Sequence, residues 1–223
     1  MNNFSELEKI LDYKFKDINL LKTALTHSSY GNEHNTEFNE RMEFLGDAVL
    51  ELVTSKYLYD SQSLDEGGLT KIRAKAVCEN ALDIYANNIG LPKFMLLGKG
   101  EEATGGRNRP AIVADCMEAL LGAIFLDGGL ECVNKIYNKF FLPYLNEVIK
   151  FKDYKSLLQE KLQSEKRTIR YEIVKEDGPA NNKTFEAVVY MDEILMGRGI
   201  GKTKKEAQQE AAKSALEKEA PHA

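Results

Sequence analysis

Cysteine is scarce in this sequence, which has Cys78, Cys116 and Cys132 among 223 residues. Their number is odd, they are widely spaced, and no pair forms a C-x-x-C motif, which excludes a disulfide-stapled scaffold and disfavours a structural zinc site. A chain of this length can bury a core without such staples. We therefore expect the cysteines to be small buried hydrophobic residues in a reducing compartment.

Long apolar runs are missing as well. The longest run, Ala111 to Leu126, contains two carboxylates and is shorter than the roughly 20 residues that span a bilayer. The N-terminal sequence has neither a basic flank before an apolar run nor a small-residue cleavage site, so it does not resemble a signal peptide. These features predict a cytoplasmic protein with no membrane segment.

Charge of both signs is present, but it is unevenly distributed. The chain has 16 basic and 22 acidic residues up to Phe151, and 14 basic and 13 acidic residues after it. Arg198, Lys202, Lys204 and Lys205 lie within eight positions. Such a local basic cluster matters more to phosphate binding than the net charge of −5. A polyanionic partner therefore remains open for the C-terminal part.

Two patterns of hydrophobicity divide the chain. Up to about Leu145 apolar residues recur at helical spacing, which predicts an all-α unit, with breaks at Gly67-Gly68, Gly90–Pro92 and 127–129. The polar, glycine-rich segment 98–110 is long for a connection and is expected to be a functional or mobile loop. From Tyr154 onward a helix, three alternating runs and a final helix predict an α-β-β-β-α unit.

The segment from Glu40 to Glu51 combines apolar residues with four acids, Glu40, Glu43, Asp47 and Glu51. On a helix these acids fall within a sector of about 80°, where like charges at i and i+4 destabilise the helix. The rest of the segment is apolar nearly all round, which predicts that the helix is largely buried. Something outside the segment must then compensate the charge.

A second apolar helix, Ala111 to Leu126, has Asp115 and Glu118 as its only charges. Two buried helices with acids alone at their polar positions call for cations between them, and oxygen-only ligands favour Mg²⁺ or Mn²⁺ over zinc. The acids could instead face solvent or pair with Lys71, Arg73 or Arg109. Acidic clusters that hold Mg²⁺ mainly serve displacement at a phosphate, which suggests a nuclease.

Three lysines, Lys202, Lys204 and Lys205, lie where the last predicted helix begins, a position that disfavours cations unless an anion docks there. Together with free helix N–H groups they would form a phosphate clamp. Glu66 also precedes a predicted helix start, where capping or a role at the acidic site would each explain it. His27 and His34 show neither catalytic nor ligand spacing, so we expect both to be structural.

These residues resemble the bacterial ribonuclease III family of double-stranded-RNA endonucleases. ERMEFLGDAVL (40–50) is similar to the family signature, and DEGGLTKIRA (65–74), Lys99-Gly100-Glu101 and DCMEALLGAIFLDGG (115–129) follow in the family's order. The resemblance implies an all-α catalytic domain at 4–127, with helices extending to about 146, and a linker at 147–152. An α+β double-stranded-RNA-binding domain would then span 153–221.

The resemblance also implies roles for the acids. Glu43, Asp47, Asp115 and Glu118 would hold Mg²⁺, for which Mn²⁺ would substitute; Asp47 and Glu118 would be most tied to catalysis, Glu40 and Glu66 accessory, and Glu51 without a role. The family forms homodimers, which would place Phe44 at the interface. Hydrolysis by water would leave 5′-phosphate and 3′-hydroxyl ends with short 3′ overhangs, and rRNA precursors and other structured transcripts would be substrates.

In the second domain the resemblance implies contacts to A-form RNA across about 16 base pairs. The residues implied are Gln159, Gln163, Pro179, Asn181, Asn182, Lys202, Lys204 and Lys205. Asn181 stands where the family commonly has His, and a modest change is expected. Two rival hypotheses remain: a double-stranded-RNA-binding or ribosome-assembly protein that has lost cleavage, and an acidic helical adaptor whose tail recruits RNA.

Overall fold

The computed structural model describes residues 4–150, 154–178 and 183–219, and the chain divides between Lys150 and Phe151 into two compact units. The first unit is helical and the second is α+β, which confirms the predicted fold class. No helix among the described residues is long and apolar enough to cross a membrane.

Nine α-helices lie in the described part of the first unit, residues 4–150. They are α1 (Phe4–Leu11), α2 (Ile18–Ala24), α3 (Ser28–His34), α4 (Glu40–Ser61), α5 (Glu66–Ala76), α6 (Glu79–Asn88), α7 (Lys99–Ala103), α8 (Pro110–Phe140) and α9 (Leu142–Lys150), with 3₁₀ turns at Leu91–Phe94 and Gly106–Asn108. One apolar cluster fills the unit, and α8 supplies much of it, including Met117, Leu120 and Leu121.

The predicted breaks have mixed outcomes. Gly90 has φ 66° and precedes a 3₁₀ turn, as the break there predicts. The predicted break at 127–129 is confirmed: Gly129 (φ 76°, ψ −177°) has a non-helical backbone, and it separates two helical stretches that are numbered together as α8. The break at Gly67-Gly68 is wrong, because both glycines lie in the first turn of α5, where the Asp65 carboxylate accepts the Gly68 N–H at 2.8 Å.

The glycine-rich segment 98–110 is not the loop that its composition predicts. It contains α7 and a 3₁₀ turn. The Arg107 side chain donates to the Glu102 carboxylate. It also donates to the carbonyl oxygens of Pro92 and Met95, at 2.5 and 2.9 Å. Arg109 pairs with Glu101 at 2.6 Å. These ion pairs order a segment whose sequence has little apolar surface to bury.

Two further expectations about burial are wrong. All three cysteines are free thiols, but only Cys116 is buried, Cys132 is half-buried and Cys78 is exposed. Helix α4 is not largely buried either, because Phe44, Leu52 and Tyr59 are 82%, 55% and 77% exposed. The apolar residues of α4 therefore cover two faces, of which one packs in the core and one lies at the surface of this chain.

The second unit has helix α10 (Tyr154–Ser164), strands β1 (Ile169–Asp177), β2 (Thr184–Met191) and β3 (Ile194–Gly201), and helix α11 (Lys204–Glu219). The strands form an antiparallel sheet in the order β1-β2-β3. Small residues of α11, Ala207, Ala211 and Ala215, are fully buried against one face of this sheet with α10. The close approach explains Gly197 and Gly199, where a Cβ would lie 2.2 Å from the α11 backbone.

The helices at the end of the first unit and the start of the second can be compared with the predicted linker, residues 147–152. Helix α9 continues to Lys150, so residues 147–150 of the predicted linker are helical. Residues 151–152 of that linker and residue 153, the predicted start of the second domain, lie outside the described residues. Helix α10 begins at Tyr154.

Candidate active site

The acidic helices α4 and α8 cross with their backbones in contact. A Cβ on Gly46 would lie 1.8 Å from the carbonyl oxygen of Glu118, and a Cβ on Gly122 would lie 2.3 Å from the carbonyl oxygen of Met42. Only glycine permits this approach at either position. Because Glu43 is one turn from Gly46, and Glu118 one turn from Gly122, the crossing brings the acids of the two helices together.

Three carboxylates meet at this crossing. Glu43 from α4 and Asp115 and Glu118 from α8 each offer an oxygen, and these oxygens all lie within 4.8 Å of one another. All three side chains are half-buried. Carboxylate oxygens at this spacing form a donor set that could bind a hard divalent cation.

Burial and mutual repulsion leave these acids with raised affinities for protons. Burial first, and then the charges of Asp47, Glu43 and Asp115, raise the pKa of Glu118 to about 8. Burial and the neighbouring Asp115, Glu40 and Asp47 also raise the pKa of Glu43. A cation between the carboxylates would relieve the same repulsion, so it would compete with protons for them.

Arginines and lysines do not neutralise the cluster in the part of the chain that the structure describes. Arg73 donates to the Ser55 hydroxyl at 3.0 Å, and Arg109 pairs with Glu101. None of the ion pairs formed by the described residues includes Glu43, Asp47, Asp115 or Glu118. The alternative that the acids pair with Lys71, Arg73 or Arg109 is therefore wrong, and the donor set fits a metal ion.

The other predicted acids lie at or beyond the edge of the cluster. Asp47 is exposed and outside the group of three, although its charge raises the pKa of both Glu43 and Glu118. Glu40 is exposed in the first turn of α4 and acts on Glu43 in the same way. Glu66 and Glu51 are exposed, and the Glu66 carboxylate accepts from the Thr70 hydroxyl at 3.1 Å.

The predicted RNA contacts of the second unit lie on its helices and on one turn. Gln159 and Gln163 are exposed on α10, and Lys202, Lys204 and Lys205 are exposed where α11 begins. Pro179, Asn181 and Asn182 lie outside the described residues. These five side chains therefore lie at the surface of the second unit.

The phosphate clamp at α11 differs from its prediction in one respect. The Thr203 hydroxyl accepts the Glu206 N–H at 3.1 Å, and the Glu206 carboxylate accepts the Lys202 N–H at 2.7 Å. The Thr203 hydroxyl thus occupies one of the helix N–H groups, that of Glu206, that were predicted to bind an anion. Attraction to phosphate would then come mainly from the lysine side chains.

Comparison with known proteins gives a consistent result over both units. Residues 17–145 match the family model "Ribonuclease-III-like", and residues 154–219 match "Double-stranded RNA binding motif". Ribonuclease 3 of Onion yellows phytoplasma is 50% identical over 220 residues, which cover 98% of this chain and 92% of that protein. Ribonuclease 3 of Caldanaerobacter subterraneus is 50% identical over 95% of this chain and 96% of that protein.

The chain belongs to the ribonuclease III family. A solved nuclease domain of ribonuclease III from Campylobacter jejuni supports this with 42% identity and a TM-score of 0.60, covering 63% of this chain and 97% of that domain. The protein is therefore an endoribonuclease whose second unit binds double-stranded RNA.

The sequence did not predict two residues whose charges act on Asp115, His27 and Glu79. Burial raises the pKa of Asp115, nearby His27 opposes that effect, and Glu79 reinforces it. His27 belongs to the turn before α3, and Glu79 to the first turn of α6. Neither residue shares a periodic pattern with the acids, so only tertiary structure could reveal the proximity.

Proposed function

We propose that the chain is a Mg²⁺-dependent endoribonuclease that hydrolyses phosphodiester bonds in double-stranded RNA. The products would carry 5′-phosphate and 3′-hydroxyl ends with short 3′ overhangs. The observation that supports this most is the cluster of Glu43, Asp115 and Glu118, which lacks a basic partner among the described residues of a ribonuclease III family member.

Glu43, Asp115 and Glu118 would hold the ion, with Asp47 as a fourth ligand from the same crossing. Mg²⁺ is the ion that carboxylate oxygens without His or Cys favour, and Mn²⁺ would substitute for it. When bound, the ion neutralises charge on the phosphate and lowers the pKa of a water molecule. The protein supplies a half-buried site in which this charge is weakly screened.

Asp47 and Glu118 are the acids that we tie most closely to catalysis. Burial and the charges of Asp47, Glu43 and Asp115 raise the pKa of Glu118 to about 8 in the metal-free chain, and a bound cation would lower it by stabilising the charged carboxylate. Asp47 is more exposed and lies beside it, where an RNA phosphate has access. Glu40 and Glu66 would have accessory roles from their exposed helix starts.

The second unit would select the substrate by shape. Gln159, Gln163 and the 179–182 turn would reach successive minor grooves of an A-form duplex, and Lys202, Lys204 and Lys205 would meet the phosphates between them. Such contacts do not read sequence. We propose that rRNA precursors and other structured transcripts are the natural substrates, and that the enzyme acts in the cytoplasm.

The active enzyme would be a homodimer formed through the helical unit. Phe44 is 82% exposed between two acids of α4, and Leu52 and Tyr59 extend the exposed apolar surface along the same helix. An apolar surface of this kind in a single chain favours a protein interface. A region of the Campylobacter jejuni nuclease domain takes part in dimer formation, which supports the same arrangement here.

The test is cleavage of a long RNA duplex of defined sequence with Mg²⁺, with Ca²⁺ and without metal. Glu118→Gln should slow cleavage at least about 1,000-fold, because it removes a ligand worth several kcal/mol in the transition state, while duplex binding in Ca²⁺ persists. Glu131→Gln, an exposed position farther along α8, is the matched control and should cleave normally.

The products decide between the hypotheses. Cleavage products that a ligase joins without prior phosphorylation or dephosphorylation carry 5′-phosphate and 3′-hydroxyl ends, and such products support the enzyme. Binding without cleavage by the unmodified chain in Mg²⁺ would favour a protein that keeps the fold but has lost activity. If Glu118→Gln changed neither RNA cleavage nor RNA binding, the result would favour the hypothesis of an acidic helical adaptor whose tail recruits RNA.

A further inference from the structure

Arg73 lies where the acid-bearing faces of helices α4 and α5 meet. On α5 it comes seven residues after Glu66, which is about two helical turns, so both side chains share one face of the helix. On α4 its partner is Ser55, whose hydroxyl accepts a guanidinium N–H of Arg73 at 3.0 Å. Ser55 follows Asp47 and Glu51 at four-residue intervals, along one ridge of α4. The guanidinium is therefore a cation between two acidic faces.

The charge of Arg73 has no carboxylate partner in the part of the chain that the structure describes. Glu51 and Glu66 are on the two faces that meet at Arg73, but neither forms an ion pair with it, and no other described residue does. Arg107 and Arg109 of the same unit, in contrast, both pair with carboxylates of α7. The hydrogen bond to α4 occupies only one of several guanidinium N–H groups. The remaining groups can donate to an anion.

Burial favours an anion at this position. Arg73 and Ser55 are both half-buried, so solvent screens the guanidinium less than it screens a fully exposed lysine. A partly desolvated charge without a counter-ion costs free energy, which an incoming anion recovers. The planar guanidinium matches the oxygens of a phosphate, and the Ser55 hydroxyl orients it before the anion arrives.

The distance from the acidic cluster indicates which phosphate Arg73 can bind. Ser55 is eight residues from Asp47, or about 12 Å along the axis of α4. A guanidinium at Ser55 is therefore beyond hydrogen-bond reach of an atom bound at Asp47, but close enough for another phosphate of a duplex that lies along this helix. Glu51 and Glu66 repel such a duplex, and a cation between their two faces offsets that repulsion.

We propose that Arg73 binds a backbone phosphate of the double-stranded RNA, a few nucleotides from the linkage that is cleaved. Ser55 holds the guanidinium in place for this contact. Arg73 is then a substrate-binding residue of the helical unit, separate both from the acids that hold the metal and from the lysines of the second unit. The inference rests on the proposed function, because it assumes that the duplex is cleaved at the acidic cluster.

Three variants of the full chain separate phosphate binding from a structural tether between α4 and α5. Each is tested for binding of a defined RNA duplex in Ca²⁺ over a range of salt concentrations. Arg73→Gln should weaken binding about 10-fold and lower the slope of log K against log salt concentration by about 1, because one phosphate contact is lost. Arg73→Lys keeps the charge, so it should keep the slope and lose only about threefold in affinity. Ser55→Ala should also keep the slope and lose about threefold or less.

A structural tether predicts a different pattern. If Arg73 only holds α5 against α4, Arg73→Gln and Ser55→Ala should lower the thermal unfolding temperature equally, and neither should change the salt slope. That result would overturn the proposal. Lys56→Gln is the matched control, because Lys56 is exposed beside Ser55 on α4 and its charge is paired with Asp60. It should leave the salt slope unchanged.

Duplexes in which one phosphate at a time is replaced by a neutral methylphosphonate locate the contact. For the unmodified chain, each contacted phosphate should weaken binding when it loses its charge. In Arg73→Gln one of these positions, near the cleaved linkage, should lose its effect while the others keep theirs. Arg73→Lys should show the same loss in part, and it replaces Arg73→Gln if that variant does not fold. Additive effects at every position would overturn the contact alone, whereas a duplex that the unmodified chain binds but does not cleave in Mg²⁺ would overturn the proposed function.

Discussion

The two units of this protein treat charge in opposite ways. In the helical unit, Glu43, Asp115 and Glu118 are half-buried, close together and without a basic partner among the described residues. In the second unit, charged side chains lie on the surface and many are paired, as Lys175 is with Asp177 at 3.0 Å and Arg198 with Glu186 at 3.4 Å.

The difference sets how each unit responds to its surroundings. Repulsion between half-buried carboxylates is weakly screened, so the first unit depends on backbone geometry, on protons and on a cation. Exposed lysines attract RNA over a longer range and compete with salt, so the second unit tolerates single changes. The predictions below test this contrast, from the largest expected effect to the smallest.

Gly46→Ala should have the largest effect. The added methyl group would overlap the Glu118 carbonyl oxygen, so α4 and α8 must separate, which should cost about 3 kcal/mol of unfolding free energy and abolish cleavage. Urea unfolding and a cleavage assay measure both effects. Gly100→Ala is the control, because a Cβ there meets nothing within 4 Å, and it should leave stability and cleavage nearly unchanged.

Phe44→Ala should weaken the proposed dimer without unfolding the chain. An exposed aromatic anchor at an interface is commonly worth about 2 kcal/mol or more, which corresponds to a dissociation constant about 30-fold higher. Analytical ultracentrifugation at several concentrations measures it. Unchanged association would show that another surface forms the dimer, or that the chain acts as a monomer.

Replacement of Lys202 or Lys204 by Gln should weaken duplex binding in a salt-dependent way. Each substitution should lower the slope of log K against log salt concentration by about 1, because one fewer counterion is released. Binding assays from 50 to 250 mM salt would measure the slope. Lys218→Gln, at the other end of α11, where Lys218 donates to the Met196 carbonyl, should leave the slope unchanged.

The metal-free protein should lose stability as the pH rises. Glu118 has a folded-state pKa of about 8, above its ordinary value of 4.5, so the folded chain binds more protons than the unfolded chain between these values. Since the Glu118 side chain is half-buried and solvent partly screens its charge, we expect Tm to fall by only about 2–4 °C from pH 5.5 to 8.

Glu118→Gln should flatten this dependence, because its neutral side chain cannot lose a proton. Mg²⁺ should stabilise the unmodified chain more at pH 8 than at pH 5.5, where protons compete for the carboxylates. Calorimetry in EDTA and in Mg²⁺ provides the comparison. A Tm that rises with pH in EDTA would mean that Glu118 is already paired with a positive charge.

Local patterns predicted much of both units. The acids of α4 and α8 share helical faces with apolar residues, and the alternation in β1 and β2 together with the alanines of α11 sets the layers of the second unit. These features depend on periodicity within one element, which a sequence shows directly. The crossing at Gly46 and Gly122 depends on contact between two helices. In the sequence, only the presence of acids on both apolar helices indicated that the two lie close together.

What the sequence did not show depends on contacts between distant segments. Arg107 orders the glycine-rich segment by binding carbonyl oxygens 12 and 15 residues away. Asp65 compensates for two glycines at the start of α5 with one side-chain hydrogen bond. The Ser29 hydroxyl, which lies 2.8 Å from Nδ1 of His27, accepts the N–H of Gly98, 69 residues away. None of these pairings follows from hydrophobic periodicity.

The most direct test of the central claim is a crystal of the full chain soaked in Mn²⁺, examined by anomalous scattering. The account predicts a peak about 2.0–2.3 Å from carboxylate oxygens of Glu43, Asp115 and Glu118. A structure in which these three carboxylates lie apart, or pair with arginines, and in which no peak falls between them, would contradict it.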